Sequence, residues 1–215
     1  MNLCQKKKTD IILDDESYFS LSNSRSPANV GFYSLPKELQ NVPDNVRLKS
    51  KAKFERRVLV WAAISKKGVS NLLVLPSKSE AITSNIYIKK CFKKNLLPFL
   101  KKNYPHGRFI FWPDLASSHY AQLTLQWIKS QKIPIIPKSM NPPNSPQIRP
   151  IELFWANFKA KVYSGGWETN DEKKLIKRIK KCAKSFPKKY FITLLKNFRN
   201  KIINANKNGL NSLIK

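Results

Sequence analysis

The stretch IILDDESYFSL, residues 11–21, joins an apolar run to three consecutive acids, and the rest of the fold can be built outward from it. The apolar residues predict a buried β-strand that ends at Asp15, with YFSLS (18–22) as a partner strand after a tight turn. Alternation along a strand would place Asp15 on the opposite face from Asp14 and Glu16. From the residues alone, all three acids are candidate metal ligands.

Two later segments place single acids at the ends of apolar elements. RFIFWP (108–113) predicts a strand that Asp114 follows directly, and IELFWANFKAKVY (151–163) predicts a helix with Glu152 in its first turn. A spacer of 37 residues separates these two acids. Taken alone, Asp114 is typical of a turn and Glu152 of an acid favoured by the helix dipole. Together with Asp15 they indicate a shared metal site.

The remaining segments predict a mixed sheet flanked by helices, which is an α/β fold. We divide the chain into a domain at 1–165 and a basic helical C-terminal extension at 166–215. Pro98 is expected to kink or break the helix that contains it. Further strands are predicted at 56–65, 71–76 and 133–137, further helices at 79–103, 119–131, 171–186 and 188–209, and a long loop at 23–50.

The composition favours a polyanionic partner. Lys and Arg number 41 against 13 Asp and Glu, which gives a formal net charge of +28. Nucleic acid is the usual partner of so basic a protein, and an anionic membrane surface is the alternative. We expect no transmembrane span, no signal peptide and no small-molecule substrate. Three widely separated cysteines without a Cys/His cluster argue against structural zinc and favour a cytosolic or nuclear protein.

Carboxylates that converge from separate elements suit a hard divalent cation. Mg²⁺ prefers oxygen ligands and is usually held by one or two carboxylates together with substrate phosphates. Two such ions ~4 Å apart can activate an attacking oxygen and stabilise a leaving one during in-line displacement. The basic surface could then bind the flanking phosphates. The sequence therefore predicts metal-dependent chemistry on a nucleic-acid backbone.

The segments DDESYF, WPDLASSHYA and RPIELFW resemble the three signature segments of the mariner-type superfamily of cut-and-paste DNA transposases. In that superfamily the first acid lies in an Asp-Glu-Ser-aromatic segment. The second lies in Asp-Asn-Ala-x-x-His-x-Ala and the third in Asn-Pro-x-Glu-x-x-Trp. By this resemblance Asp15, Asp114 and Glu152 match the three acids. Leu115 and Arg149 stand where the superfamily usually has Asn.

The resemblance covers roughly residues 10–165 and implies an RNase H-like catalytic core. It implies that Asp15, Asp114 and Glu152 hold two Mg²⁺ or Mn²⁺ ions, and that the activity is DNA nicking followed by strand transfer. The superfamily places a paired helix-turn-helix region ahead of the core. Because Met1 lies just before the first motif, we expect that region to be absent. DNA is the expected partner, a homodimer an expected assembly, and the nucleus the expected location.

Two alternatives to a transposase stay open at this point. The chain could be a non-catalytic DNA-binding or interaction protein derived from a transposase, or another nuclease with the same core. The role of His119 is open as well. It is either a core or helix-start histidine, or a group that supports the metal site from behind its ligands.

Overall fold

A computed structural model describes the chain at residues 9–21, 56–76, 81–142 and 149–196 and at 198, 200, 201 and 207. Its centre is a five-stranded mixed sheet in which β1 lies between β2 and β5, while β3 and β4 pair with the other side of β2. The predicted loop at 23–50 lies outside the described residues. The strands are β1 (Asp10–Ser20), β2 (Arg57–Ser65), β3 (Gly68–Val69), β4 (Leu73–Leu75) and β5 (Phe109–Trp112).

Helices cover both faces of the sheet. The buried side chains of the sheet form two clusters, one together with α3, α4 and α5 and the other together with α1 and α2. The helix α1 consists of three consecutive stretches, Ser84–Ile86, Tyr87–Leu96 and Leu97–Asn103. The others are α2 (Gln122–Ser130), α3 (Pro150–Val162), α4 (Glu172–Lys184) and α5 (Lys188–Lys196), with 3₁₀ turns at Lys138–Met140 and Ser164–Gly166.

Successive residues of the central strand contribute to opposite cores. Leu13 is buried in the cluster that contains Phe154 of α3, while Ile12 is buried in the cluster that contains Phe92 of α1. This follows from the two-residue period of a strand. Because both faces of β1 are covered, apolar side chains are needed on both, and the sequence shows an unbroken apolar run instead of alternation. The predicted mixed sheet flanked by helices is confirmed.

The prediction that β1 ends at Asp15 is wrong. The strand continues to Ser20, and it pairs with β2 in antiparallel register from Leu13 opposite Ile64 to Ser20 opposite Arg57. No glycine, proline or asparagine interrupts the strand between its acids and Tyr18, so nothing in the sequence enforces a turn. Asp15 therefore lies in the middle of a strand.

Two proline effects also differ from prediction. The strand expected at 133–137 is reduced to a single bridge between Phe111 and Ile135, since its prolines cannot donate ladder hydrogen bonds. Pro98 does not break α1, while a kink at this residue stays a prediction. It lies in the first turn of the stretch Leu97–Asn103, after a π-helical stretch, and at such a position a backbone N–H is not required.

The C-terminal helices share the core of the sheet. Leu175 and Ile179 of α4 and Phe191 of α5 are buried in the same cluster as Phe158 of α3. The helices predicted at 171–186 and at the beginning of 188–209 are confirmed, while the domain boundary at 165 stays a prediction. No helix in the described part of the chain is both long enough and apolar enough to cross a membrane.

Candidate metal centre

The sheet places Asp15 and Asp114 side by side. The strands β1 and β5 are parallel neighbours with Leu13 opposite Trp112. Two residues further along each chain come Asp15, within β1, and Asp114, directly after β5. The two acids thus come from neighbouring strands of the sheet. A crevice beyond the carboxyl end of a parallel strand is a common position for a site in α/β proteins.

Asp15 faces the helix α3. Its Oδ2 accepts a hydrogen bond of 3.0 Å from Nε1 of Trp155. Burial and the nearby carboxylate of Glu152 raise the pKa of Asp15 and a backbone hydrogen bond from Glu16 lowers it, so that it moves from 3.8 to about 7. Such a pKa means that the ionised carboxylate of Asp15 is poorly compensated by positive charge of its own. A divalent cation would supply that charge and displace the proton.

Asp14 belongs to the opposite side of β1. It is fully buried and its Oδ2 accepts hydrogen bonds from the indole of Trp61, at 2.9 Å, and from the hydroxyl of Tyr87. Burial raises its pKa and nearby His119 offsets part of that effect, so the pKa lies at about 6. The alternation predicted for the acids of β1 is thus present. Asp14 connects the strand to α1 and to β2 and stays within the core.

Asp114 is held ionised. Its Oδ1 accepts a hydrogen bond of 2.9 Å from the backbone N–H of Ala116 and is paired with Nδ1 of His119. Burial would raise the pKa of Asp114, but the hydrogen bond and charge of His119 outweigh it, so the pKa lies below its ordinary value. This carboxylate is therefore available to a cation at neutral pH and below.

His119 lies behind the acids and pairs with two of them. It is fully buried, its ring stacks on Tyr87 with centroids 4.0 Å apart, and its Nε2 lies 3.5 Å from Oε1 of Glu16. Burial lowers the pKa of His119, yet the contacts with Asp114 and Glu16 raise it to about 10. Of the two roles considered for this histidine, the structure favours support of the site. It also comes before the helix α2, which begins at Gln122.

Three carboxylates form a compact donor set. One oxygen each from Asp15, Glu16 and Asp114 lie within 4.8 Å of one another. These are the hard oxygen donors that Mg²⁺ and Mn²⁺ accept, so the residues present fit a divalent cation. Among the described residues this is the one group of three or more potential ligands found. Glu16 is thus a member of this donor set, although the sequence indicated it only as an alternative to Asp15.

Glu152 is not part of this compact group. It is exposed in the first turn of α3, where Pro150 begins the helix as predicted. It is near enough to Asp15 for its charge to be felt there. Lys159, further along the same helix, is half-buried. Burial lowers its pKa, and the charges of Glu152 and Asp15 offset part of that effect. The role of Glu152 as a metal ligand stays a prediction.

Other contacts of the site had no sequence signal. Trp155, Trp61 and Tyr87 appear in the sequence as apolar residues at helix or strand spacing, which indicates packing. Their N–H and O–H groups instead hold Asp15 and Asp14 in place. Trp and Tyr combine an apolar ring with one polar N–H or O–H group, so one side chain can both pack in the core and donate a hydrogen bond.

The fold is similar to that of solved transposase structures. The sequence matches no protein-family model and no curated protein. The Mos1 transposase paired-end complex with left transposon end superposes with a TM-score of 0.75 at 15% identity, over 97% of this chain and 56% of that one. The Mos1 mariner paired-end complex with Mn gives 0.73 at 17% identity, over 95% and 56%.

The catalytic domain of Mos1 mariner transposase alone gives a TM-score of 0.62 at 14% identity, over 88% of this chain and 77% of that one. The chain thus spans little more than half the length of the Mos1 chains in the paired-end complexes. These similarities agree with the resemblance of the three acidic segments. The chain has the RNase H-like fold of the mariner transposase catalytic domain.

Proposed function

We propose that this chain is a transposase-type catalytic domain that cuts and joins DNA by metal-assisted phosphodiester chemistry. The observation that carries the proposal is the convergence of Asp15, Glu16 and Asp114 within 4.8 Å, the first two in the middle of β1 and the third just beyond the parallel neighbour β5 of an RNase H-like sheet. The formal charge of +28 makes DNA the proposed partner. A homodimer and a nuclear location belong to the same proposal.

Each side chain has a distinct task in this proposal. Asp15 and Asp114 bind the cations from two strands, and Glu152 completes the set from the first turn of α3, with Glu16 as the alternative third ligand. Mg²⁺ or Mn²⁺ bound there, as two ions, would activate the attacking oxygen and stabilise the leaving one. His119 keeps Asp114 ionised, while Trp155 fixes the orientation of Asp15.

The test is nicking of a labelled DNA duplex by the purified protein in Mg²⁺ or Mn²⁺. Asp114→Asn keeps the size of the side chain and the bond from Ala116 but removes a charge that the cations need. We expect the rate to fall by about a thousandfold or more, the effect of losing several kcal/mol of transition-state stabilisation. Asp171→Asn is the matched control, because asparagine also caps the helix α4 there.

The outcomes separate the candidate functions. Ca²⁺ accepts looser geometry than Mg²⁺, so it should support DNA binding without cleavage. Equal cleavage by wild type and Asp114→Asn, or full cleavage in a chelator, would rule out the metal mechanism. Tight DNA binding with no cleavage by wild type would favour the non-catalytic, transposase-derived protein instead.

A further inference from the structure

Arg149 occupies the junction between the two strands that carry Asp15 and Asp114 and the helix that carries Glu152. It is the residue directly before Pro150, with an extended backbone at φ −85 and ψ 109, and it forms the N-terminal boundary of α3. Its carbonyl accepts a 3.1 Å hydrogen bond from the N–H of Glu152. The backbone of Arg149 is thus bonded directly to the residue whose carboxylate the proposed site needs.

The guanidinium of Arg149 reaches the two strands. One terminal nitrogen donates to the carbonyl of Asp14 at 2.9 Å, and the other donates to the carbonyl of Pro113 at 3.1 Å. These carbonyls belong to the residues immediately before Asp15 and Asp114. The side chain of Arg149 therefore bonds to the backbone next to Asp15 and Asp114, and its carbonyl bonds to the backbone of Glu152.

Further contacts hold the same junction. The carbonyl of Pro113 also accepts a 2.8 Å hydrogen bond from the amide of Asn141, whose oxygen accepts one from the indole of Trp112. The bonds made by Arg149 end on carbonyl oxygens, which leaves the carboxylates to the cations. Its positive charge also helps to keep the pKa of Asp114 low. The planar fork of an arginine can satisfy two acceptors at fixed spacing, which the point charge of lysine does not do.

We propose that Arg149 is a positioning residue that sets the spacing of Asp15, Asp114 and Glu152 and so determines how tightly the site binds divalent cations. This inference rests on the proposed function and deepens it. The superfamily that the sequence resembles usually has Asn at this position, and that shorter side chain lacks the two-pronged reach of a guanidinium. The chain has its own solution to fixing the helix against the two strands.

The experiment measures metal binding directly, without any activity. Tb³⁺ luminescence, sensitised by Trp155 next to Asp15, is titrated with the full chain, and Mn²⁺ is then used to displace the Tb³⁺. We expect Arg149→Ala to weaken the apparent affinity by roughly 10–100-fold, the usual effect of losing a group that orients metal ligands. Arg149→Lys should lie between Arg149→Ala and wild type, since lysine can satisfy one carbonyl at a time.

Arg178→Ala is the matched control. Arg178 donates to the carbonyls of Val162 and Ser164 at the opposite end of α3, so its loss also removes arginine–carbonyl bonds. We expect it to lower the melting temperature and leave the metal affinity at the wild-type value. If Arg149→Ala does not fold, Arg149→Lys carries the same comparison.

The two proposals fail in different ways. Wild-type protein that binds neither Tb³⁺ nor Mn²⁺ would refute the proposed function and with it the role of Arg149. Wild-type binding that Arg149→Ala and Arg149→Lys leave unchanged, or that Arg178→Ala weakens to the same degree, would refute the positioning role alone.

Discussion

Replacing Asp15 by asparagine should stabilise the metal-free protein at pH 8 while removing its stabilisation by divalent cations. In the folded protein the pKa of Asp15 is about 7, against an ordinary value of 3.8. Folding must therefore ionise a carboxyl that resists ionisation, mainly because it is buried and also because it lies near Glu152. Asparagine keeps an oxygen that can accept the hydrogen bond from Trp155 and carries no charge.

The sign follows from proton linkage. A carboxyl whose pKa is raised by folding contributes stability that is fully present below pH 3.8 and is lost as the pH rises through 7. At about 1.4 kcal/mol for a pKa difference of one, the loss approaches about 4 kcal/mol. We expect Asp15→Asn to gain roughly 2–4 kcal/mol at pH 8, which for a chain of this length is roughly 5–15 °C in melting temperature.

Thermal unfolding followed by circular dichroism provides the assay, at pH 5 and pH 8, in a chelator and in millimolar Mg²⁺ or Mn²⁺. Wild type should gain more from the cation at pH 8 than at pH 5, because at pH 5 the ion must first displace a proton from Asp15, whose pKa is about 7. Asp15→Asn should gain little at either pH. Asp171→Asn, at the exposed N-terminus of α4, should resemble wild type throughout.

One result would refute the reasoning. If Asp15→Asn is less stable than wild type at pH 8 in the chelator, the ionised carboxylate of Asp15 is well compensated without a metal. Ordinary hydrogen bonds of the protein would then account for the carboxylates, and their short spacing would not indicate a cation site.

Two further predictions concern the support of the site and the C-terminal helices. His119→Gln should destabilise the protein most below pH 6.5 and progressively less as the pH rises through 10, because folding raises the pKa of this imidazole; urea unfolding at pH 6 and pH 10 measures the difference. An effect of equal size at both pH values would mean that packing on Tyr87, and not charge, accounts for it. Leu175 belongs to α4 and is fully buried, so Leu175→Ala should lower the free energy of unfolding by about 2–5 kcal/mol and lower the urea midpoint of one common transition. A separate transition for the C-terminal helices would contradict a core shared with α3.

The strands near Asp15 and Asp114 were predictable because they depend on local patterns. Each acid follows an apolar run that is typical of a buried strand, and once such strands pair in parallel they bring equivalent positions together. The helix start at Pro150 was predictable for the same reason, since proline favours the first helical turn. The positions of Asp114 and Glu152 relative to their own elements therefore needed no knowledge of the rest of the chain, whereas the position of Asp15 within β1 did.

The partners of the acids could not be predicted, because they come from far along the chain. Trp155 bonds to Asp15 across 140 positions, and Tyr87 bonds to Asp14 across 73. Nothing local distinguishes an indole that donates to a carboxylate from one that only packs. The continuation of β1 beyond Asp15 was missed for a similar reason, since β2 pairs with the strand from Leu13 to Ser20 and keeps its polar residues in register.

The opposite orientation of Asp14 and Asp15 on one strand has a consequence for how this gene can vary. Inserting or deleting a single codon within β1 upstream of these acids would exchange their faces, so that the carboxyl enclosed by Trp61 and Tyr87 would point toward α3 and its neighbour into the core. A substitution changes one side chain at a time. A one-residue change of length moves every side chain on one side of it to the other face, so it alters the set of carboxylates and both buried clusters together. Related sequences should therefore tolerate substitutions at single positions of β1 more readily than any change in its length.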